Sequence, residues 1–398
     1  MVKLSDRASF FSIGFDLVAM DRAITYDLYI NSSALENREK FVKIFPVGET
    51  PTIEDISEFK KKYHQLYVLE SQRDVYLKSL VNCDRADDVK KTEVIKDSAI
   101  VYLSKLFDET KEFNTELLGE TIDGCRESVE SMIHVIKDYD VSKVQSLIGD
   151  LSYHDFYTYD HSINVAMYSI SIFKELKPKA QQHELVMAGL GGLLHDLGKI
   201  KIPTRIINNP GKLSDEDFGE IKKHPNYGLE LMSEQEQEYD LPGIDLKVIK
   251  RIIHEHHENY NGTGYPNGLK GQDIHILARV VAIADFFDAL TTKRSYHEVL
   301  STEDALEIMS KSVGKKIDPK IFEIFTQGVK GLVLKGKSYR ALPDDFDPCQ
   351  PQNVLPFQKI ESEKKAEDIF KDNKQNSFGK VKGDFSISDK ENPKKKSA

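Results

Sequence analysis

Leu193-Leu194-His195-Asp196-Leu197-Gly198-Lys199 closes an apolar run that begins at Glu184. Apolar residues at 185, 186, 190, 193 and 194 recur at helical spacing. The run then ends in an adjacent His-Asp pair, with Gly198 read as the helix terminator and a lysine directly after it. An imidazole and a carboxylate at the end of such a segment both lose solvation. Buried charge is costly unless it is paired or bound to a metal. The pair needs partners, and the chain around it must supply them.

From about residue 151 to 333 helix signals dominate. Candidate helices cover Ser162–Leu176, Gln181–Leu197, Ser214–Met232, Leu246–His256, Ile274–Thr291 and Ser301–Ser312. Two begin with acidic capping patterns, Ser214-Asp-Glu-Asp217 and Ser301-Thr-Glu-Asp304, which suit the helix dipole. No strand-like alternation interrupts them, so this region is expected to be an all-α bundle.

Candidate ligands concentrate there. His161 opens one helix, His195 and Asp196 follow one helix later, and His224 stands near the middle of the Ser214 helix. His256 and His257 end the segment KVIKRIIHEHHE. Asp285 lies inside ILARVVAIADFFDAL, a helix apolar on nearly every side and therefore buried all round. Singly, a buried aspartate satisfied by backbone or arginine, and a histidine packed in a core, are the plainer readings. Together, these imidazoles and carboxylates without cysteine suit Fe, Mn or Zn better than a thiolate-preferring ion. They are numerous enough for two ions about 3.5–4 Å apart.

The flanking regions read differently. Residues 1–85 carry the strand-like runs TYDLYI, KFVKIF and QLYVLE, a helix capped by Thr52 with Asp55 three residues on, and another near Asp74 to Leu80. This β-β-α-β-α order predicts a small α+β module without a catalytic constellation, regulatory or oligomerising in character. Residues 86–150 read as a helical connector, and residues 334–398 as a polar, disordered tail ending in Lys394-Lys395-Lys396. The fold class expected is mainly α: a helical bundle preceded by a small α+β domain.

Across all 398 residues, 39% hydrophobic and 30% charged content reads as globular, and a net charge of −10 argues against a bulk nucleic-acid binder. It leaves room for a local basic pocket that holds a small anion. Cys83, Cys125 and Cys349 are far apart and read as reduced thiols in the cytoplasm. Neither a signal-peptide core nor an uncharged run of about 18–20 apolar residues occurs.

His195-Asp-Leu-Gly-Lys199, His256-His-Glu-Asn-Tyr-Asn-Gly-Thr-Gly-Tyr-Pro-Asn-Gly-Leu269 and Ala284-Asp-Phe-Phe-Asp-Ala-Leu-Thr291 stand in that order, and KKHPNYGLELM surrounds His224. Over residues 150–330 the chain resembles the HD-GYP family of cyclic di-GMP phosphodiesterases, within the HD superfamily of metal-dependent phosphohydrolases. The resemblance implies an HD-type bundle with two divalent ions. Fe or Mn is favoured, with Zn, Ni and Mg as further candidates. It implies that His161, His195, Asp196 and Asp285 surround one ion. Asp196 is then shared with a second ion held by His224, His256 and His257. It also implies that Asp196 and Lys199 are catalytic, that Lys199, Tyr265 and Arg294 bind substrate, and that cyclic di-GMP is linearised to pGpG and onward to GMP.

Three positions depart from the family pattern. Tyr157 stands where some members carry a glutamate for a third metal, so a binuclear centre is expected. Arg294-Ser-Tyr-His297 replaces a motif with a second permanent cation, which would weaken phosphate binding or make it sensitive to pH. Asn261 replaces a loop aspartate. The alternative reading is a catalytically weak cyclic di-GMP sensor, or a protein that binds diguanylate cyclase (GGDEF) partners. A homodimer through the connector is left open.

Overall fold

The computed structural model describes residues 9–329 apart from 34–38, 84, 108–112, 152–156, 208–212, 239–240, 242 and 293–299. The predicted tail therefore lies outside the described residues, as do Cys349, Arg294, Ser295 and His297. The side chain of Tyr157 does as well. Among the described residues, no helix is long and apolar enough to cross a membrane.

A four-stranded antiparallel sheet forms the N-terminal part. It comprises β1 (Phe10–Ile13), β2 (Leu28–Asn31), β3 (Phe41–Phe45) and β4 (Leu66–Leu69), in the order β1-β4-β2-β3. Three strands coincide with the predicted runs. β1 is an addition to the β-β-α-β-α expectation: the short FFSI segment acquires its strand by pairing with β4, Phe10 opposite Leu69 through Ile13 opposite Leu66. Alternation puts Leu28, Ile30, Leu66 and Val68 into the core. Two helices cover the sheet, α1 (Ile53–Lys60) and α2 (Arg73–Leu80). Thr52 and Asp55 form the capping box that their spacing predicts.

Helices α3 (Asp88–Leu106), α4 (Thr115–Val135) and α5 (Val141–Asp150) fill the connector region. The bundle follows: α6 (Tyr157–Leu176), α7 (Gln182–Leu194), α8 (Thr204–Ile207), α9 (Asp215–Ile221), α10 (His224–Glu238), α11 (Leu246–Glu255), α12 (Ile276–Thr291), α13 (Thr302–Ser310) and α14 (Pro319–Gln327). Helix α7 packs against α6, α4, α11 and α12. It is buried on every side from Val186 to Leu194, and each enclosed Leu contributes about 1.5–3 kcal/mol relative to exposure. Glycines let its neighbours close in. A Cβ on Gly192 would lie 2.8 Å from Ala166 Cα of α6, so the usual penalty of a helical glycine, about 0.5–1 kcal/mol, is offset by packing.

Several predicted boundaries are corrected. Helix α7 ends at Leu194, not at Gly198, and the chain turns into a 3₁₀ segment over Leu197–Lys201. Gly198 serves close approach rather than termination: a Cβ there would sit 1.9 Å from the His224 carbonyl oxygen. The single helix expected over Ser214–Met232 is two, because Pro225 has no N–H with which to continue the ladder. His224 thus opens α10 instead of sitting mid-helix. His161 occupies the second turn of α6 and does not open it.

Candidate metal centre

The histidines lie where helices end, and the backbone there decides how each ring points. His195 is the C-cap of α7, and His256 is the C-cap of α11. His224 follows the last turn of α9. Carbonyls of a final helical turn lack intrahelical donors. His195 Nδ1 is 2.7 Å from the Gly192 carbonyl oxygen, His224 Nδ1 2.7 Å from that of Ile221, and His256 Nδ1 2.8 Å from that of Ile253. Each contact spans three residues and makes Nδ1 the donor. Nε2 is left as a lone pair aimed inward.

The inward nitrogens meet two carboxylates. Asp196 Oδ1 is 3.2 Å from His224 Nε2, while its Oδ2 is 3.3 Å from His195 Nε2 and 2.5 Å from Lys199 Nζ. Asp285 Oδ1 is 3.1 Å from His161 Nε2. Two compact groups result: Asp196 with His224, His256 and His257, and His161 with His195 and Asp285, the candidate ligand atoms within each lying inside 4.8 Å of one another. The groups adjoin, the His195 and His256 rings being 5.1 Å apart. All seven predicted ligands are therefore brought together, and the two oxygens of Asp196 face opposite groups.

The donor set fits divalent ions. His224 Nε2 and His256 Nε2 are 3.2 Å apart although both Nδ1 atoms already face carbonyl acceptors, so two lone pairs confront one another. His195 Nε2 is buried without a hydrogen bond. A cation answers both conditions. Oxygen and imidazole donors without thiolate suit Fe, Mn or Zn.

Electrostatics separate the groups. Burial, reinforced by His195 and His224, lowers His256 to about 3, and burial lowers His224 to about 4 against the opposing pull of Asp196. Both rings are neutral at neutral pH, as coordination of a metal would require. In His161 burial is outweighed by hydrogen bonds to Asp285 and Asp288, and its value rises to about 9. Asp196 is held well below the usual carboxylate range by His195 and Lys199 despite burial.

Asp288 is the residue that sequence reasoning missed. Fully buried, its Oδ2 lies 2.6 Å from His161 Nδ1, while its Oδ1 accepts from Asn164 (2.9 Å) and Thr292 (2.6 Å). It holds His161 as carboxylates behind metal-binding histidines do. A second acid three residues after Asp285, on the same helical face, was its only sequence signal.

The loop after α11 supplies the rim. Tyr265 stacks on His257, centroids 4.8 Å apart and planes 24° apart. Glu258 accepts backbone N–H groups from Asn267 (2.7 Å) and Leu269 (3.0 Å), which ties the loop to the ligand-bearing helix end. Arg294 falls outside the described residues.

An all-α bundle with a His-Asp pair at a helix end and a distant aspartate beside it defines an HD domain, and residues 146–321 match the HD domain family. With the loop of Asn261 to Gly268 following His256-His257, this HD-domain region resembles the HD-GYP family. It is 38% identical over 176 residues to a cyclic di-GMP phosphodiesterase of Pseudomonas aeruginosa, covering 44% of this chain and 40% of the relative. It is 39% identical over 134 residues to 3'3'-cGAMP-specific phosphodiesterase 2 of Vibrio cholerae, covering 34% and 24%. The chain thus spans less than half the length of these curated relatives. A solved structure of an HDG"Y"P protein from Bdellovibrio bacteriovorus shares the fold, with a TM-score of 0.50 at 22% identity over 81% of this chain and all of that one.

Proposed function

We propose that this chain is a binuclear metal-dependent phosphodiesterase that opens cyclic di-GMP to pGpG. The observation that carries this reading is the pair of adjoining ligand groups with one oxygen of Asp196 facing each. His161, His195 and Asp285 would hold one ion, His224, His256 and His257 the other, with Asp196 shared. Two divalent ions bound there would supply Lewis-acid polarisation of a phosphoryl oxygen and acidify a water for in-line attack.

The remaining work falls to the chain itself. Lys199 is partly exposed and anchored by Asp196, so its ammonium is positioned to neutralise charge developing on phosphoryl oxygens. Tyr265 borders the ligands through His257 and offers an aromatic surface to a nucleobase. Arg294 would clamp a substrate phosphate with its forked donors. Burial of six of the seven candidate ligands, all but the half-buried His257, keeps bulk water from competing for the charges.

The relatives include enzymes named for cyclic di-GMP and for 3'3'-cGAMP, so the decisive assay offers both. Anaerobically purified protein loaded with Fe(II) or Mn(II) is expected to convert cyclic di-GMP to pGpG in preference to 3'3'-cGAMP, with products resolved by chromatography. Conversion of neither dinucleotide sinks the enzymatic reading. Tight binding of cyclic di-GMP without turnover would replace it with the sensor reading.

A further inference from the structure

Lys96 in the middle of α3 is paired with Asp160 of α6, Nζ to Oδ1 2.8 Å, and the two side chains are 3% and 2% exposed. Lysine is almost never buried this deeply unless paired. Stability alone is a weak reason for such a pair, because apolar residues of equal volume commonly stabilise a core as well or better. Its location supplies another reason.

Asp160 directly precedes His161, in the first turn of α6. A first turn has unpartnered backbone N–H groups and is the part of a helix most prone to fray. Here it is gripped from two sides. From α12, Asp288 and Asp285 take the two nitrogens of His161. From α3, Lys96 takes Asp160. The C-terminal end of α3 comes closer still: Leu103 and Phe107 line a small cleft with Tyr159, Ser162, Leu193 and Asp196, and the Phe107 ring meets Tyr159 at 5.7 Å. Its N-terminal end is tied to the sheet-bearing region through an ion pair between Lys90 and Asp16.

We infer that Lys96 is a positioning residue for the candidate metal centre: by holding Asp160 it fixes the turn that presents His161, and so the Lys96 pair supports the ligand group of His161 and not that of His224, His256 and His257. The inference rests on the binuclear reading above. Because His224, His256 and His257 depend on α9, α10 and α11, loss of the Lys96 pair acts on one ion alone. A purely structural ion pair would spare both ions or weaken both together.

The test is Mn(II) titration of the full chain by calorimetry, comparing wild type with the double variant Lys96→Met/Asp160→Asn. The double change removes both charges at similar volume, so no buried charge is stranded. Wild type is expected to bind two Mn(II). The variant is expected to keep one at unchanged affinity and to bind the second roughly 10–100-fold more weakly, the range seen when support behind a ligand is removed. Two ions at wild-type affinity in the variant overturn the inference while leaving the proposed function standing. A wild type that binds neither Mn(II) nor, anaerobically, Fe(II) overturns both. Hydrogen exchange of metal-free wild type gives a second check that needs no variant. Amides of residues 161–164 are expected to be as protected as those of 96–100, and faster exchange by a hundredfold or more would show that α3 pins nothing.

Discussion

The two ligand groups use the same residue types and are supported in different ways. In the group of Asp196, His224, His256 and His257, the rings of His224 and His256 are oriented by carbonyls three residues earlier in their own chain. In the group of His161, His195 and Asp285, His161 is oriented by Asp288, 127 residues away. The first arrangement is written into local backbone and cannot be removed by a side-chain substitution. In the second, His195 is held in the same local way by the Gly192 carbonyl, and it is His161 that depends on tertiary contacts from α12 and α3. One half of the centre is therefore robust, and the other is open to change from outside.

Asp196 belongs to both halves, and its removal should abolish the difference. Asp196→Ala takes away a ligand facing each group and also frees Lys199 from its anchor. Several kcal/mol of charge stabilisation depend on the metals, so turnover of cyclic di-GMP should fall by on the order of 10³-fold or more. Metal analysis should show fewer than two ions per chain. Full occupancy with full activity would mean that Asp196 bridges nothing.

Lys199 separates chemistry from metal binding. Replacing it with methionine leaves all seven candidate ligands in place. Loss of one charge-stabilising donor costs about 10²–10³-fold in kcat, and the effect belongs at the lower end because Lys199 is partly exposed. Metal content should not change. A variant with wild-type kcat would return Lys199 to the role of a simple partner for Asp196.

Asp288→Asn breaks the comparison at its weaker half. Asn164 and Thr292 both donate to one oxygen of Asp288, which fixes the amide oxygen of an asparagine on their side. The amide NH₂ then faces His161 Nδ1. It forces the imidazole to accept there and to carry its proton on Nε2, the nitrogen aimed at Asp285. One ion should bind roughly 10–100-fold more weakly, and the other should be unaffected. Equal weakening of both would show that the halves are not independent.

The same contrast explains what could be read from the chain alone. His195-Asp196, His224 and His256-His257 are recognisable because short segments both carry and orient them. Thr52, Ser214 and Ser301 announced their helix starts because a cap is a contact over three residues. Strand β1 was missed because its partner lies more than fifty residues away. Asp288 and Lys96 were missed for the same reason. Their importance comes from α6, and nothing in the sequence beside them names that helix. The break before His224 was legible in principle, since Pro225 stood in view.

The loop carrying Tyr265 offers the finest distinction, because it touches the robust half without being a ligand. Glu258 uses one carboxylate oxygen for the Asn267 N–H and the other for the Leu269 N–H. Glutamine keeps only one acceptor, so one of these loop amides loses its partner. An unmade buried hydrogen bond costs about 1–3 kcal/mol, but Asn267 is exposed and water can take its amide, which places the loss near 1 kcal/mol. Since Tyr265 rests on His257 through stacking and not through coordination, the loosened loop should shift substrate binding while the ions stay. Glu258→Gln is therefore expected to raise KM for cyclic di-GMP roughly five-fold, with kcat and metal content within two-fold of wild type. A fall in metal content instead would mean that the loop braces His257 itself, and that the rim and the ligand group are one unit.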